Sequence, residues 1–149
     1  MNIGDKIPSF SLPDQDWNEL SDKEVLGQPF IIYFYPKDDT PGCTKEACSF
    51  RDSYQDFEEA GARVIGVSSD SPEEHNRFKS KHDLPFTLLS DRKKELQKAF
   101  NVPTNFFGMI PGRVTYIFDK EGTLIHKFNS QMKAEKHAAE SLKAINDLS

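Results

Sequence analysis

Cysteine is scarce in this chain: Cys43 and Cys48 are the only two among 149 residues. Two thiols exclude a disulfide framework and a four-cysteine metal site within one chain. The fold must then rest on a buried core, which a chain of this length can build unaided. Long apolar runs are missing too. Residues 1–8 lack the apolar centre of a signal peptide, and no later stretch is long enough to span a bilayer. Positive charge is in deficit, with 19 Lys and Arg against 24 Asp and Glu and a net charge of -5. That balance argues against a nucleic-acid partner, which calls for a basic face. The one basic triplet, Arg92-Lys93-Lys94, reads as a solvated helix face. The expected setting is the cytoplasm, or the plastid stroma if a transit peptide has been removed, with no membrane and no nucleic acid as partner.

What is present is core material, including 12 Phe, without a repeat, linker or composition shift, so residues 1–149 read as one domain. Phe30-Ile31-Ile32-Tyr33-Phe34-Tyr35 is the continuous apolar pattern of a central strand covered on both faces. Beyond it, Ala47, Phe50, Tyr54 and Phe57 recur at steps of three and four, the inward stripe of a helix that Cys43 continues backward. A second buried strand (63–68) precedes Asp70-Ser71-Pro72-Glu73-Glu74, which has the cap, proline and acidic first turn of another helix. A short strand at 86–89 and a helix capped by Ser90-Asp91 and reaching about Phe100 follow. Residues 119–122 then read as the turn of a hairpin, and Ala134, Ala138, Leu142, Ile145 and Leu148 as a closing helix. This order predicts a thioredoxin-like α/β sandwich, a central mixed β-sheet flanked by helices, with an N-terminal hairpin extension.

Chemistry concentrates in residues 36–48, where the first core strand gives way to a helix. Thr40 suits the N-cap, Pro41 the first helical position, and Gly42 allows close approach to the backbone. Cys43 then occupies the third helical position, where unpaired backbone N–H groups and the helix dipole favour an anion. A thiol of ordinary pKa is only about 3% ionised at neutral pH, whereas one tuned to about 6 is roughly 90% ionised. Nucleophilic attack by such a thiolate also pushes charge onto the departing atom, which calls for fixed donors. Cys48 lies five residues on. In a regular helix that offset is about 140° of rotation and about 7.5 Å of rise, with Cα atoms roughly 8.7 Å apart. A disulfide tolerates about 7 Å, so bonding the two would require the helix to unwind locally.

Pro36-x-x-x-Thr40-x-x-Cys43 resembles the active-site motif of the peroxiredoxins, and the Cys-x4-Cys spacing is similar to their peroxiredoxin Q branch, also called bacterioferritin comigratory protein. The similarity runs from Gly4-Asp5-Lys6-Ile7-Pro8 through Pro111-Gly112-Arg113-Val114 to the last helix. The resemblance implies a thiol peroxidase acting on hydrogen peroxide and organic hydroperoxides, with no metal or organic cofactor. It further implies Cys43 as peroxidatic nucleophile, Thr40 and Arg113 holding and polarising the peroxide, Pro36 shielding the thiolate and Glu46 orienting the arginine. Cys48 would resolve the Cys43 sulfenic acid to an intramolecular disulfide, recycled by thioredoxin or a similar dithiol, and the protein would be a monomer.

Other readings compete. A thioredoxin-like reductase wants Cys-x-x-Cys, which is not present. A redox sensor would use the same thiols, and multiple turnover separates the two. His75, His82, His126 and His137 share no ligand spacing and read as surface or structural. Trp17 should pack near the N-terminal hairpin. Phe106, Phe107, Met109 and Ile110 either cover the core edge or form a docking surface.

Overall fold

The computed structural model describes residues 1–105, 110–130 and 133–148. Strands β1 (Ser11–Pro13) and β2 (Glu19–Ser21) pair antiparallel with Leu12 opposite Leu20, giving the expected N-terminal hairpin before the single turn of α1 (Asp22–Val25). Asp14 Oδ1 accepts from the backbone N–H of Asp16 and Asn18 and tightens the hairpin turn. Trp17 sits in that turn at a φ of 65° and is 62% exposed, so it does not pack as expected.

Strand β3 (Phe30–Phe34) is central, as its unbroken apolar run requires. It lies between β4 (Arg63–Ser68), parallel to it, and β8 (Val114–Phe118), antiparallel. Strand β5 (Thr87–Ser90) extends the sheet beyond β4, and β9 (Leu124–Asn129) beyond β8. Alternation along β3 divides the core. Ile31, Tyr33 and Tyr35 join one buried cluster, while Phe30, Ile32 and Phe34 join the other. Gly66, opposite Tyr33, leaves room for its ring, since a Cβ there would come within 2.9 Å of it.

The first cluster is closed by α2 (Pro41–Asp52), α3 (Tyr54–Glu59), α4 (Pro72–Lys81) and α6 (Lys136–Asn146), which supply Phe50, Phe57, Phe78 and Ala138. The second is closed by the hairpin, α1 and α5 (Glu95–Ala99). The long inward stripe of residues 47–57 is carried by two helices, broken at Ser53, whose ψ of 6° departs from the helical value. Helix α5 also begins later than read. Residues 92–93 form a turn and Lys94 adopts a φ of 59°, so the basic triplet lies in that turn and at its end. Asp91 caps across the turn, accepting from the N–H of Leu96 and Gln97. The pair β6 (Thr104–Asn105) and β7 (Ile110–Pro111) flanks 106–109, so the expectation for the apolar loop lies outside the described residues.

Candidate active site

The site forms where β3 ends. Tyr35 continues onto β4 through a bond from its N–H to the Val67 carbonyl, residues 36–40 turn, and α2 starts with Pro41. Thr40 takes the N-cap position with extended backbone, Pro41 is first, and Cys43 third, as the sequence predicts. The Thr40 hydroxyl does not cap. It donates to the Lys37 carbonyl at 2.9 Å, which stiffens the loop and leaves its oxygen free to accept. Cys43 is 1% exposed, a free thiol turned inward as the helical stripe implied.

Register brings the cation. Phe34 faces Val114 across β3 and β8, so Arg113 is placed beside the last turn of chain before the helix. Its Nη1 lies 3.5 Å from Cys43 Sγ and 2.8 Å from Glu46 Oε1, within a site where Arg113 is 5% and Glu46 0% exposed. Gly42 makes this approach possible, because a Cβ on it would stand 2.8 Å from Arg113 Nη2. What comes close to Gly42 is thus a side chain of the protein itself.

Glu46 is held against a second group that the sequence did not disclose. His137, wholly buried on α6, lies 3.3 Å through Nδ1 from Glu46 Oε2, 2.7 Å from the Thr115 hydroxyl, and 2.9 Å through Nε2 from the Ser130 carbonyl. Burial raises Glu46 to about 8 against the pull of Arg113. Burial likewise lowers His137 to about 4. His137 and Ser141, four apart on α6, form a buried polar row beside Ala138, but that spacing does not disclose the contact with Glu46.

A further network anchors the loop. Asp38 accepts from the Tyr35 hydroxyl at 2.5 Å and lies 2.6 Å from His75 Nδ1, while its N–H donates to Asp70 Oδ2 at 2.8 Å. The other ring nitrogen of His75 is 2.9 Å from the Leu89 carbonyl and so carries a hydrogen. Asp38, Asp70 and His75 have metal-ligand chemistry, yet both Asp38 oxygens, both ring nitrogens and Asp70 Oδ2 already have protein partners. They lock residues 36–40 to β5 and α4. Pro36, partly exposed, opens that loop. Cys48, half-buried, lies on α2 with Cys43. A surface cleft lined by Pro29, Asp56, Leu142 and Ile145 does not include Cys43.

The family model for the AhpC/TSA family matches residues 3–127. The chain belongs to that family. Within it, the peroxiredoxin Q branch is the one that fits: the chain is 49% identical over 148 residues to the chloroplastic peroxiredoxin Q of Populus jackii, covering 99% of this chain and 70% of that one. Peroxidoxin BcpB from Mycobacterium tuberculosis superposes with a TM-score of 0.93 at 30% identity, covering 100% of this chain and 99% of that one. Xanthomonas campestris bacterioferritin comigratory protein, described for its alkyl peroxide reduction activity, gives 0.86 at 30% identity over 93% and 91%. This peroxiredoxin is a thiol peroxidase of the atypical two-cysteine type, with Cys43 and Cys48 fitting a peroxidatic and resolving pair. Its substrates are peroxides and its electrons come from a thiol reductant. Among the described residues no helix is long and apolar enough to cross a membrane.

Proposed function

We propose that Cys43 attacks the peroxide, Thr40 and Arg113 hold and polarise it, Pro36 shields the sulfur, Glu46 orients Arg113 and Cys48 resolves the product. The observation that carries this reading is the Arg113 guanidinium, fixed by Glu46 and reaching Cys43 Sγ at 3.5 Å beside the N-terminus of α2. The Cys43 thiolate bonds to one peroxide oxygen as the O–O bond breaks, and the departing oxygen takes up a proton to leave as water or alcohol. Arg113 and the first-turn N–H groups meet the charge that develops. The Cys48 thiolate then attacks the Cys43 sulfenic sulfur, the hydroxyl leaves as water after protonation, and a disulfide remains. A dithiol of the thioredoxin kind returns both thiols in two exchange steps.

Hydrogen peroxide and alkyl hydroperoxides are the proposed substrates, the latter supported by the activity of the Xanthomonas relative. We further propose that residues 1–149 act as one domain and as a monomer, in the cytoplasm or in a plastid stroma, the latter supported by the chloroplastic relatives.

Intact mass after one equivalent of hydrogen peroxide, with alkylation afterward, tests the cycle. A loss of about 2 Da with no alkylation supports the internal disulfide, whereas a gain of about 16 Da marks a sulfenic acid left unresolved. Two alkylated thiols at unchanged oxidation state would reject the assignment of Cys43.

A further inference from the structure

Behind Arg113 the buried polar groups are one proton short. The Ser130 carbonyl can only accept, so His137 Nε2, 2.9 Å from it, carries a hydrogen. In a neutral ring Nδ1 is then a bare lone pair. The Thr115 hydroxyl, 2.7 Å away, can donate to that lone pair. Glu46 Oε2 also faces it at 3.3 Å, and among the described residues this buried oxygen has no hydrogen-bond partner. An ionised Glu46 would therefore set a carboxylate oxygen against a lone pair, out of reach of water. A proton on Oε2 would donate to Nδ1. Placed on Nδ1 instead, it would make an imidazolium donating to Oε2, with the Thr115 hydroxyl turned to accept.

We propose that Glu46 and His137 hold one proton between them in the reduced enzyme, so that the pair carries no net charge and Arg113 is balanced by the Cys43 thiolate alone. This rests on the reading of Cys43 as the attacking thiolate. His137 becomes a positioning residue, acting on Cys43 through Glu46 and Arg113. The directions imposed by burial agree, since a carboxyl raised to about 8 beside an imidazole lowered to about 4 leaves one proton on the pair between those limits. The other groups around it supply no second proton. Arg113, from the chain before β8, stays charged; Tyr33, from β3, is held protonated by burial; Thr115, from β8, is neutral. Lys45 and Glu135 pair at 3.6 Å on exposed positions of α2 and the segment before α6.

Thiolate absorbance, titrated in a Cys48→Ser background so that only Cys43 contributes a thiol, tests the proposal through Glu46→Gln. The amide imitates the protonated acid, keeping its oxygen toward Arg113 and offering an N–H to Nδ1. The midpoint of Cys43 ionisation should shift by less than about half a unit, because no net charge has been removed. A larger fall would show that a negative neighbour had been lost and would overturn the proposal. If Glu46→Gln fails to fold, the unsubstituted side chains answer directly at neutral pH. Infrared spectra should show a protonated buried carboxyl, or nitrogen NMR an imidazolium at His137. A carboxylate beside a ring with a single N–H would overturn the proposal. Neither readout needs turnover, so they are separable from loss of peroxidase activity in Cys43→Ser, which tests the underlying assignment.

Discussion

Gly42 separates catalysis from stability at the level of one residue. Alanine in its place would favour helix α2 by about 1 kcal/mol. Its Cβ would nevertheless meet Arg113 Nη2 at 2.8 Å and drive the guanidinium from its place between Cys43 and Glu46. Gly42→Ala should therefore slow the reaction with peroxide at least tenfold in stopped-flow measurements, while the urea midpoint moves little, because the helical gain offsets the disturbed Arg113–Glu46 contact. Arg113→Met follows a different course. From sequence alone Arg113 reads as an edge residue whose loss costs little stability. In the fold it is the buried partner of the fully buried Glu46 carboxyl, so removal should slow the peroxide reaction and also destabilise. The cost should stay near about 1–3 kcal/mol, below that of stranding a charge, because Glu46 can retain a proton. Cys43 and Thr40 were legible because their types and spacing form a local motif, whereas Arg113, 70 residues from Cys43, was assigned through resemblance. Glu46 was legible only by resemblance. His137 was hidden because its meaning comes from a contact 91 residues away in sequence, and no local spacing announces that.

At the scale of elements, the helix that carries both thiols is regular from Pro41 to Asp52. Five residues of regular helix hold two sulfurs too far apart to bond. Oxidation by one equivalent of peroxide should thus remove hydrogen-exchange protection from the amides of residues 44–49 while α4 keeps its own. Unchanged protection in α2 would mean that no bond forms within the chain. The loop before α2 is held from the other side by Asp38 and His75. His75→Leu would leave Asp38 buried with its Tyr35 bond alone, costing about 3–5 kcal/mol by urea denaturation, and should slow peroxide attack as residues 36–40 loosen. Sequence periodicity located the central strand, the hairpins and most helices, because apolar spacing is a local quantity. It overran the break at Ser53, since Phe50 and Phe57 keep the same inward face on both sides of it. It also started α5 too early, because Asp91 caps that helix across an intervening turn.

For the molecule as a whole, the buried pair makes stability depend on pH in a definite direction. Glu46 is raised above its unfolded value and His137 lowered below its own. Between about pH 4.5 and 6.5 folded and unfolded chains each hold about one proton on these two groups, and their effects cancel. Above about 6.5 the unfolded chain gives up its histidine proton while the folded pair keeps one until about 8. Stability should accordingly fall as pH rises through that window, by about 2 kcal/mol at most. Thermal unfolding of a Cys43→Ser, Cys48→Ser protein, in which no thiol titrates, should show the decline, and Glu46→Gln should flatten it. Glu46 also lies in the short stretch between the two cysteines, on the turn that must unwind if they bond. Forming the disulfide would pull that side chain away from Arg113 and His137, returning three matched groups to a mismatched state. Oxidation would then wind the fold like a spring, and cutting the bond would let α2 snap back to its peroxide-ready form with no further trigger.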